Sequence, residues 1–455
     1  MAKYFGTNGI RGKIDELTPE LAYKAATGIG YALCWKKDNC RRISAPIKNV
    51  LIAMDARKTG PILKAQVIDG LTGVGCPVID LGMISTPTAE FMVRKMKPGA
   101  LVIITASHNP PEYNGLKVMD GNEVSVSKER GEEIEEYIDG KTPNTSTRVE
   151  SGTIEKYENA VKDHVKAILK NVDKNKTKGK KLLLDYGNGM AATIAPQLFR
   201  DLGCEITSIN SHIDGSFPGR PSEPSETNVQ ELIAIMKRGE YDCGIAWDGD
   251  GDRVIFVDEK GEFIIGDKVF AIAEILKLRE KKGSVITTVA TSKAIEDIAK
   301  KNKCEIIYTK IGAPYLSEEM AKGGAVLGGE EVGGVIWPEV SLAKDGFLTA
   351  AKLVEALGEK KLSEWLKEVP AYHNEKMKIS ANKEQKEKIM RKVKETATEK
   401  INTIDGVRID FEDAWVIIRP SGTENYIRVF AEAKTREKAK KLVEKYKKMA
   451  EDAKT

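Results

Sequence analysis

The chain has 455 residues, of which 41% are hydrophobic and 31% charged, and its formal net charge is +4. This length predicts about three or four domains of roughly 100–150 residues each, and the composition is typical of a soluble globular protein. No basic block indicates a nucleic-acid partner, and no run of about 18 apolar residues indicates a membrane span.

The N-terminal residues form no apolar segment of the kind found in secretory signals. The six cysteines are scattered and form no CxxC pair, which favours a reducing compartment over a disulfide framework. We therefore expect a cytoplasmic protein. The sequence leaves open whether it is a monomer or a homo-oligomer.

Short apolar runs alternate with amphipathic stretches through the first part of the chain. The predicted elements are, in order, a helix at 19–33, a strand at 50–54, a helix at 62–73, and strands at 78–81 and 100–104. Strands that alternate with helices indicate an α/β domain with a largely parallel sheet. We assign this domain to residues 1–150.

The same alternation begins again twice, which predicts α/β domains at 151–255 and 256–368. The strands expected there are 181–185, 205–209, 243–247, 254–257, 285–288, 305–309 and 325–327, with helices near 191–202 and 229–237. The last part has grouped strands at 407–411, 414–418 and 426–433 between helices near 383–398 and from about 435. This grouping predicts a small α+β domain at 369–455.

A run of alternating acids follows the apolar strand 243–247. Asp248, Asp250 and Asp252 are separated by single glycines, and Arg253 comes next. Carboxylates are preferred ligands of Mg²⁺ and Ca²⁺, and glycine lets the backbone turn tightly enough for them to converge. Since arginine can hold a phosphate, the run predicts a metal beside a phosphorylated partner.

Two alternatives exist for this acidic run. Glu259 lies where an EF-hand loop starting at Asp248 would have its last ligand, but Arg253 occupies the position that needs glycine. The strand predicted at 254–257 also replaces the helix that an EF-hand requires. A plain acidic turn remains possible, and a cation site at the end of a strand is favoured.

The residues 105–110, Thr-Ala-Ser-His-Asn-Pro, follow the strand 100–104. Ser107 and His108 are not expected to form a hydrolase pair, because adjacent side chains on a strand point to opposite faces and no G-x-S-x-G motif is present. Two interpretations remain. The segment is either a turn ended by Asn-Pro, or a loop that exposes Ser107 as a nucleophile whose phosphate would complete the cation site.

Two further loops offer ligand groups. Residues 419–425 combine Arg419, Ser421 and Thr423 with free backbone N–H groups, which suits a phosphate, although a hairpin turn is the alternative. The glycine-rich loop 328–334 contains Glu330 and Glu331. It is either a solvent loop or a loop whose carboxylates accept hydrogen bonds from sugar hydroxyls.

The four stretches 5–12 (FGTNGIRG), 105–110, 248–253 and 419–423 occur in the order and at the spacing of one known family. The whole chain resembles the α-D-phosphohexomutases, which are the phosphoglucomutases, phosphomannomutases and phosphoglucosamine mutases. The resemblance implies three similar α/β domains with mixed, mostly parallel sheets and a C-terminal α+β domain, arranged around one central cleft.

The resemblance also implies a mechanism. Ser107 would be phosphorylated, and one Mg²⁺ would be bound by that phosphate and by Asp248, Asp250 and Asp252. The enzyme, an intramolecular phosphotransferase, would interconvert hexose 6-phosphate and hexose 1-phosphate through a sugar 1,6-bisphosphate. Its partner would be a small phosphosugar, with no nucleic acid and no membrane.

The remaining roles are carried over by position. Arg11, His108 and Lys117 would act with Ser107 in catalysis. The substrate-binding residues implied by the resemblance are Arg253, Lys310, Glu330, Arg419, Ser421, Gly422, Thr423 and Arg428.

The loop 328–334 corresponds by resemblance to the sugar loop of the family, but it departs from the family pattern G-E-x-S-G-H. Val332 replaces the serine hydroxyl and Gly334 replaces the histidine imidazole. The sequence therefore leaves glucose, mannose and glucosamine phosphates open as substrates. A phosphopentomutase, a non-catalytic sugar-phosphate-binding protein and a phosphatase remain alternatives.

Overall fold

The computed structural model describes residues 3–6, 8–37, 43–44, 47–141, 150–421 and 425–454. It contains a seven-stranded, a five-stranded, a four-stranded and a second five-stranded sheet, each with its own helices, and a separate two-stranded ribbon. Three α/β domains are followed by an α+β domain, which confirms the predicted fold class. Gly422 and Thr423 lie outside the described residues.

The first sheet has the order β1-β2-β8-β7-β5-β6-β9. Its domain contains β1 Phe5–Gly6, β2 Gly9–Lys13, α1 Pro19–Ile29, a π-helical turn Gly30–Cys34, β3 Lys36–Lys37, β4 Ile43–Ser44, β5 Val50–Met54, α2 Gly60–Gly73, β6 Val78–Met83, α3 Thr86–Met96, β7 Ala100–Ile104, β8 Tyr113–Asp120, α4 Lys128–Ile138 and β9 Ile154–Lys156. Strands β5 and β7 are parallel, with Met54 opposite Ile104. The residues that follow them, Asp55 and Thr105, therefore lie side by side at one edge.

The second sheet has the order β11-β10-β12-β13-β14. Its domain contains α5 Ala160–Leu169, α6 Lys174–Thr177, β10 Lys181–Asp185, a 3₁₀ turn Met190–Thr193, α7 Ala195–Asp201, β11 Glu205–Ile209, α8 Gln230–Met236, β12 Cys243–Trp247, β13 Val254–Val257 and β14 Phe263–Ile264. Because β13 and β14 continue the sheet by antiparallel pairing, this sheet extends past residue 255, the boundary expected from the sequence.

The third sheet has the order β16-β15-β17-β18. Its domain contains α9 Gly266–Glu280, β15 Ser284–Thr288, α10 Lys293–Lys301, β16 Ile306–Thr309, α11 Ala313–Ala321, β17 Ala325–Gly329, β18 Val335–Ile336, α12 Gly346–Ala356, α13 Leu362–Trp365 and a 3₁₀ turn Leu366–Glu368. In the described parts of the first three sheets, seven of thirteen strand pairings are parallel. The sheets are mixed because antiparallel strands extend each parallel centre.

The fourth sheet is antiparallel throughout its described strands and has the order β19-β23-β22-β21-β20. Its domain contains β19 His373–Ser380, α14 Lys383–Thr396, β20 Lys400–Asn402, β21 Val407–Asp410, β22 Ala414–Pro420, β23 Tyr426–Ala433 and α15 Arg436–Asp452. Strands β22 and β23 pair with Arg419 opposite Arg428. This register brings two predicted phosphate ligands next to each other.

The apolar cores are not distributed one to each domain. One continuous cluster of buried side chains runs from the second domain into the third, and it includes Leu184, Trp247, Phe270 and Val285. The fourth domain has its own core. It contacts the third domain through a small cluster of Val289, Trp415 and Ile417. Within the described residues, no helix is both long enough and apolar enough to span a membrane.

Candidate active site

Ser107 lies in the loop after β7, where it is only 8% exposed. Its hydroxyl Oγ donates a hydrogen bond of 2.7 Å to Oδ2 of Asp248, in the loop after β12. The serine has a backbone φ of +48°, a left-handed conformation that residues other than glycine rarely adopt. Strained backbone of this kind is concentrated at functional sites, where the surroundings hold it in place.

Arg57 binds the backbone of the loop that carries Ser107 (residues 105–113, the Ser107 loop), and the sequence analysis missed this residue. Its guanidinium donates to four backbone carbonyl oxygens, those of Ser107, Asn109, Pro110 and Tyr113, at 2.6–2.9 Å. Its Nε also pairs with Asp55, and both side chains are almost fully buried. One rigid five-donor group therefore fixes the path of the whole loop.

Arg57→Met is expected to destabilise the first domain by about 3–5 kcal/mol, because it removes the buried cation that pairs with the Asp55 carboxylate and four hydrogen bonds to backbone carbonyls. The thermal midpoint of the variant measures the loss. Arg94 provides a matched control, since it also pairs with a carboxylate and a carbonyl but is partly exposed. Arg94→Met is expected to cost about 1 kcal/mol or less. Equal losses in the two variants would contradict the proposed role of Arg57.

The three aspartates after β12 converge, as the sequence predicted. One carboxylate oxygen from each of Asp248, Asp250 and Asp252 lies within 4.8 Å of the other two, and all three residues are buried. Oδ1 of Asp250 and Oδ1 of Asp252 have no hydrogen-bond partner among the described residues. Burial and the two neighbouring carboxylates hold the pKa of Asp248 well above its usual range. A divalent cation fits this donor set, because it would supply the missing partners and relieve the repulsion.

The loop 248–253, here called the metal loop, and the Ser107 loop touch through Ser222. The hydroxyl of Ser222 donates to the carbonyl oxygen of Ser107 at 2.9 Å and accepts from the N–H of Gly249 at 3.0 Å. A side chain at position 249 would place its Cβ 2.5 Å from this hydroxyl and 2.9 Å from the Ser107 carbonyl. Glycine is therefore required at this position for the close approach of the two loops.

Three basic residues predicted from the family lie around this centre. Arg11, on β2, donates to Oδ1 of Asn109 at 2.8 Å. The imidazole Nδ1 of His108 lies 3.4 Å from Oγ of Ser107. Burial and the nearby charges of Arg253 and Arg11 lower the pKa of His108 to about 3, so its ring is neutral near pH 7.

Lys117 is buried and pairs with a glutamate that the sequence analysis missed. Its ammonium lies 2.8 Å from Oε1 of Glu90 and 3.9 Å from Oδ2 of Asp252. Burial opposes the charge, but the carboxylates outweigh it and raise the pKa of Lys117. Burial also raises the pKa of Glu90, to about 7, against the effect of the lysine. The pair keeps an ammonium group next to the metal loop.

Glu330 reaches the same centre from the third domain. Its Oε1 accepts from the ammonium of Lys344 at 2.7 Å, and that ammonium lies 3.2 Å from Oδ2 of Asp252. Burial would raise the pKa of Asp252, but Lys344, Lys117 and Arg253 lower it below its usual range. Arg253 is itself paired with Glu223, and its buried Nε has no hydrogen-bond partner among the described residues.

The predicted substrate ligands of this region that the structure describes, Lys310, Arg419, Ser421 and Arg428, form a second group. Asp405 joins them, since its carboxylate accepts from Nε of Arg419 at 2.8 Å and from the N–H of Ile311, next to Lys310, at 3.1 Å. Arg428 lies opposite Arg419 and donates to the hydroxyl of Tyr426 at 2.9 Å. The carbonyl of Ser421 accepts from Lys386. This group is basic and partly exposed, and it combines the third and fourth domains.

The structure thus joins Arg11, Ser107, His108, Lys117 and Glu330 to the three aspartates. Sequence reasoning missed Arg57, Glu90, Ser222, Lys344 and Asp405. Arg57 had a usable signal, because it follows a predicted parallel strand at its carboxyl end. Glu90 lies within helix α3, and Lys344 precedes helix α12 with no recognisable motif.

Known proteins match this chain along its whole length. The sequence profiles of phosphoglucomutase/phosphomannomutase α/β/α domains I, II and III match residues 2–145, 162–261 and 265–372, and that of the C-terminal domain matches 374–449. A phosphoglucomutase/phosphomannomutase from Thermococcus kodakarensis is 40% identical over 462 residues, which cover 100% of this chain and 99% of that protein.

A phosphoglucosamine mutase from Methanocaldococcus jannaschii is 38% identical over 465 residues, with 100% of this chain and 99% of that protein covered. The crystal structure of a phosphoglucomutase/phosphomannomutase family protein from Burkholderia thailandensis superposes with a TM-score of 0.86 at 26% identity. That superposition covers 98% of this chain and 96% of the other.

The fold and the matches to known proteins together identify this protein as an intramolecular phosphotransferase, which is a class of isomerase, as expected from the motifs. The chain belongs to the phosphoglucomutase/phosphomannomutase family of the α-D-phosphohexomutase superfamily.

Proposed function

We propose that this phosphohexomutase interconverts hexose 6-phosphate and hexose 1-phosphate through phosphorylated Ser107 and a sugar 1,6-bisphosphate. The observation that carries the proposal is the 2.7 Å contact between the Ser107 hydroxyl and Asp248, within a cluster whose other two aspartates have unpartnered oxygens. A serine that carried phosphate there would face a cation held by the three carboxylates. When bound, Mg²⁺ supplies charge neutralisation for the phosphoryl group.

The residues of the chain divide the remaining work. The strained Ser107 loop, held by Arg57, presents Oγ towards the metal loop, so phosphoryl transfer needs little rearrangement. Two groups can hold the proton that the attacking sugar hydroxyl releases. One is the neutral imidazole of His108, and the other is the carboxylate of Glu90, which pairs with Lys117 and whose pKa burial raises to about 7.

The bisphosphate must then turn around, so that its second phosphoryl group returns to Oγ of Ser107. The basic group of Lys310, Arg419 and Arg428 would bind the phosphate that is not reacting. The loop residues Gly422 and Thr423 belong to the same proposed phosphate site. Since these cations act mainly through charge, either end of the bisphosphate can occupy the site.

Phosphopeptide mapping of the purified enzyme, followed by a panel of 1-phosphates of glucose, mannose, glucosamine and ribose, tests the proposal. We expect phosphate on Ser107 and conversion of one or more hexose phosphates. Active enzyme without phosphate on Ser107 would contradict the mechanism. Turnover of ribose 1-phosphate alone would indicate a phosphopentomutase, release of free phosphate a phosphatase, and binding without turnover a non-catalytic protein.

A further inference from the structure

The sugar loop lacks a side chain at position 334, and a lysine from elsewhere in the chain occupies the space beside it. A Cβ built on Gly334 would lie 2.2 Å from Cδ of Lys344 and about 3.1 Å from its Cγ. Any side chain at position 334 would therefore displace the stem of Lys344. The two positions share one volume, which only one side chain can fill.

The backbone of both positions is fixed. Lys344 pairs with Ile336 of β18 as an isolated β-bridge, and the N–H of the next residue, Asp345, donates to the carbonyl of Val335 at 2.9 Å. The loop closes on itself, because the N–H of Glu330 donates to the carbonyl of Gly334 at 3.1 Å. The lysine therefore approaches Glu330 from a rigid support.

The lysine ammonium belongs to the reaction centre as well as to the sugar loop. It is buried between Glu330 at 2.7 Å and Asp252 at 3.2 Å. An ammonium group has three N–H donors, so two carboxylates leave one donor for a third acceptor. The positive charge of Lys344 also contributes to lowering the pKa of His108 and opposes the raised pKa of Lys117. Lys344 therefore belongs to the residues around Ser107.

We propose that Lys344 is a specificity-determining residue beside the sugar loop. Its ammonium group binds a sugar hydroxyl next to Glu330, from the space left by Gly334. The inference rests on the proposed function, since it assumes a hexose phosphate in this cleft. Lys344 would supply the hydrogen-bond donor that the loop itself lacks, because Val332 and Gly334 replace the serine and the histidine of the family pattern. A flexible lysine stem replaces a side chain on the loop itself.

The test uses full-length protein carrying Ser107→Ala, so that binding is measured without turnover. Calorimetry with glucose, mannose and glucosamine 6-phosphates compares Lys344→Ala with Lys352→Ala. Lys352 is a matched control, because it is equally buried and also lies between two carboxylates, those of Glu280 and Glu355. Lys344→Ala is expected to weaken binding of at least one hexose phosphate about tenfold or more, and Lys352→Ala less than twofold.

Gly334→Ala tests the shared volume. Alone it is expected to weaken binding about as much as Lys344→Ala, because it displaces the lysine. Added to Lys344→Ala it is expected to cost less than twofold more, because its effect acts through a side chain that is no longer present. The affinity for inorganic phosphate, which has no sugar hydroxyl, should stay unchanged in all these variants, whereas a general collapse of the site would reduce it.

Two results would overturn the inference: Lys344→Ala binds hexose phosphates as well as Lys352→Ala does, or the losses of affinity caused by Lys344→Ala and Gly334→Ala multiply in the double variant. In either case the proposed function would still stand, provided that the Ser107→Ala protein binds hexose phosphates. Absence of hexose phosphate binding in the Ser107→Ala protein itself would overturn both.

Discussion

Ser107→Ala is expected to reduce interconversion of hexose phosphates by a factor of about 10⁴ or more, because no other group would carry the phosphoryl group between the two ends of the sugar. The fold should persist, since the hydroxyl makes one hydrogen bond to Asp248, worth on the order of 1 kcal/mol. A coupled assay of product formation measures the loss, and the thermal midpoint reports the fold.

Ser317→Ala is the matched control, because Ser317 is also a buried serine but lies in helix α11 of the third domain and is not among the residues assigned to the active site. It should keep near-normal turnover. If the Ser107→Ala enzyme turned over within tenfold of the unmodified enzyme, the phosphoryl group would have to travel through another nucleophile, and the proposed mechanism would be wrong.

Removal of the divalent cation is expected to cause the second large loss, about 10³-fold or more, because charge neutralisation contributes several kcal/mol to phosphoryl transfer. Dialysis against EDTA should abolish turnover, and added Mg²⁺ should restore it. Mg²⁺ should also raise the thermal midpoint, since it relieves the repulsion among the three buried carboxylates that raises the pKa of Asp248.

Asp250→Asn should weaken Mg²⁺ binding, measured by calorimetry, and lower turnover in parallel. Asp258→Asn provides the control. Asp258 is equally buried, but its carboxylate accepts hydrogen bonds from the N–H groups of Lys260 and Glu262 and is not part of the cluster. Full activity in thoroughly demetallated enzyme would contradict a cation site at these aspartates.

The central strands were predictable because each is a short continuous apolar run. Strands β5, β7, β10 and β12 have the bounds expected from the sequence. Strand β8 was not expected, because Tyr113–Asp120 contains asparagine, glycine and lysine, and its burial comes from pairing with β7. Helix α1 was expected to continue to residue 33, but it ends at Ile29 and passes into a π-helical turn.

The reacting groups were predictable to the extent that they lie within short motifs. The alternation of aspartate and glycine indicated convergence of carboxylates, and the structure brings these carboxylates together next to Ser107. The groups that hold them were not predictable. Arg57, Glu90 and Lys344 each contact the site from a distant part of the chain, and such contacts depend on the packing of sheets that no local pattern encodes.

The apolar cluster shared by the second and third domains makes them one cooperative unit, since they cannot separate without exposing buried side chains such as Trp247 and Phe347, which stack on each other across the contact. The fourth domain is attached differently, by a small apolar contact with only three fully buried side chains among the described residues and by polar bonds such as that from Arg408 to the carbonyl of Val289. Opening and closing of the cleft should therefore consist of a hinged motion of the fourth domain against a rigid body. Amide exchange should show the fourth domain opening at a lower free energy than the two domains that hold the metal and sugar loops.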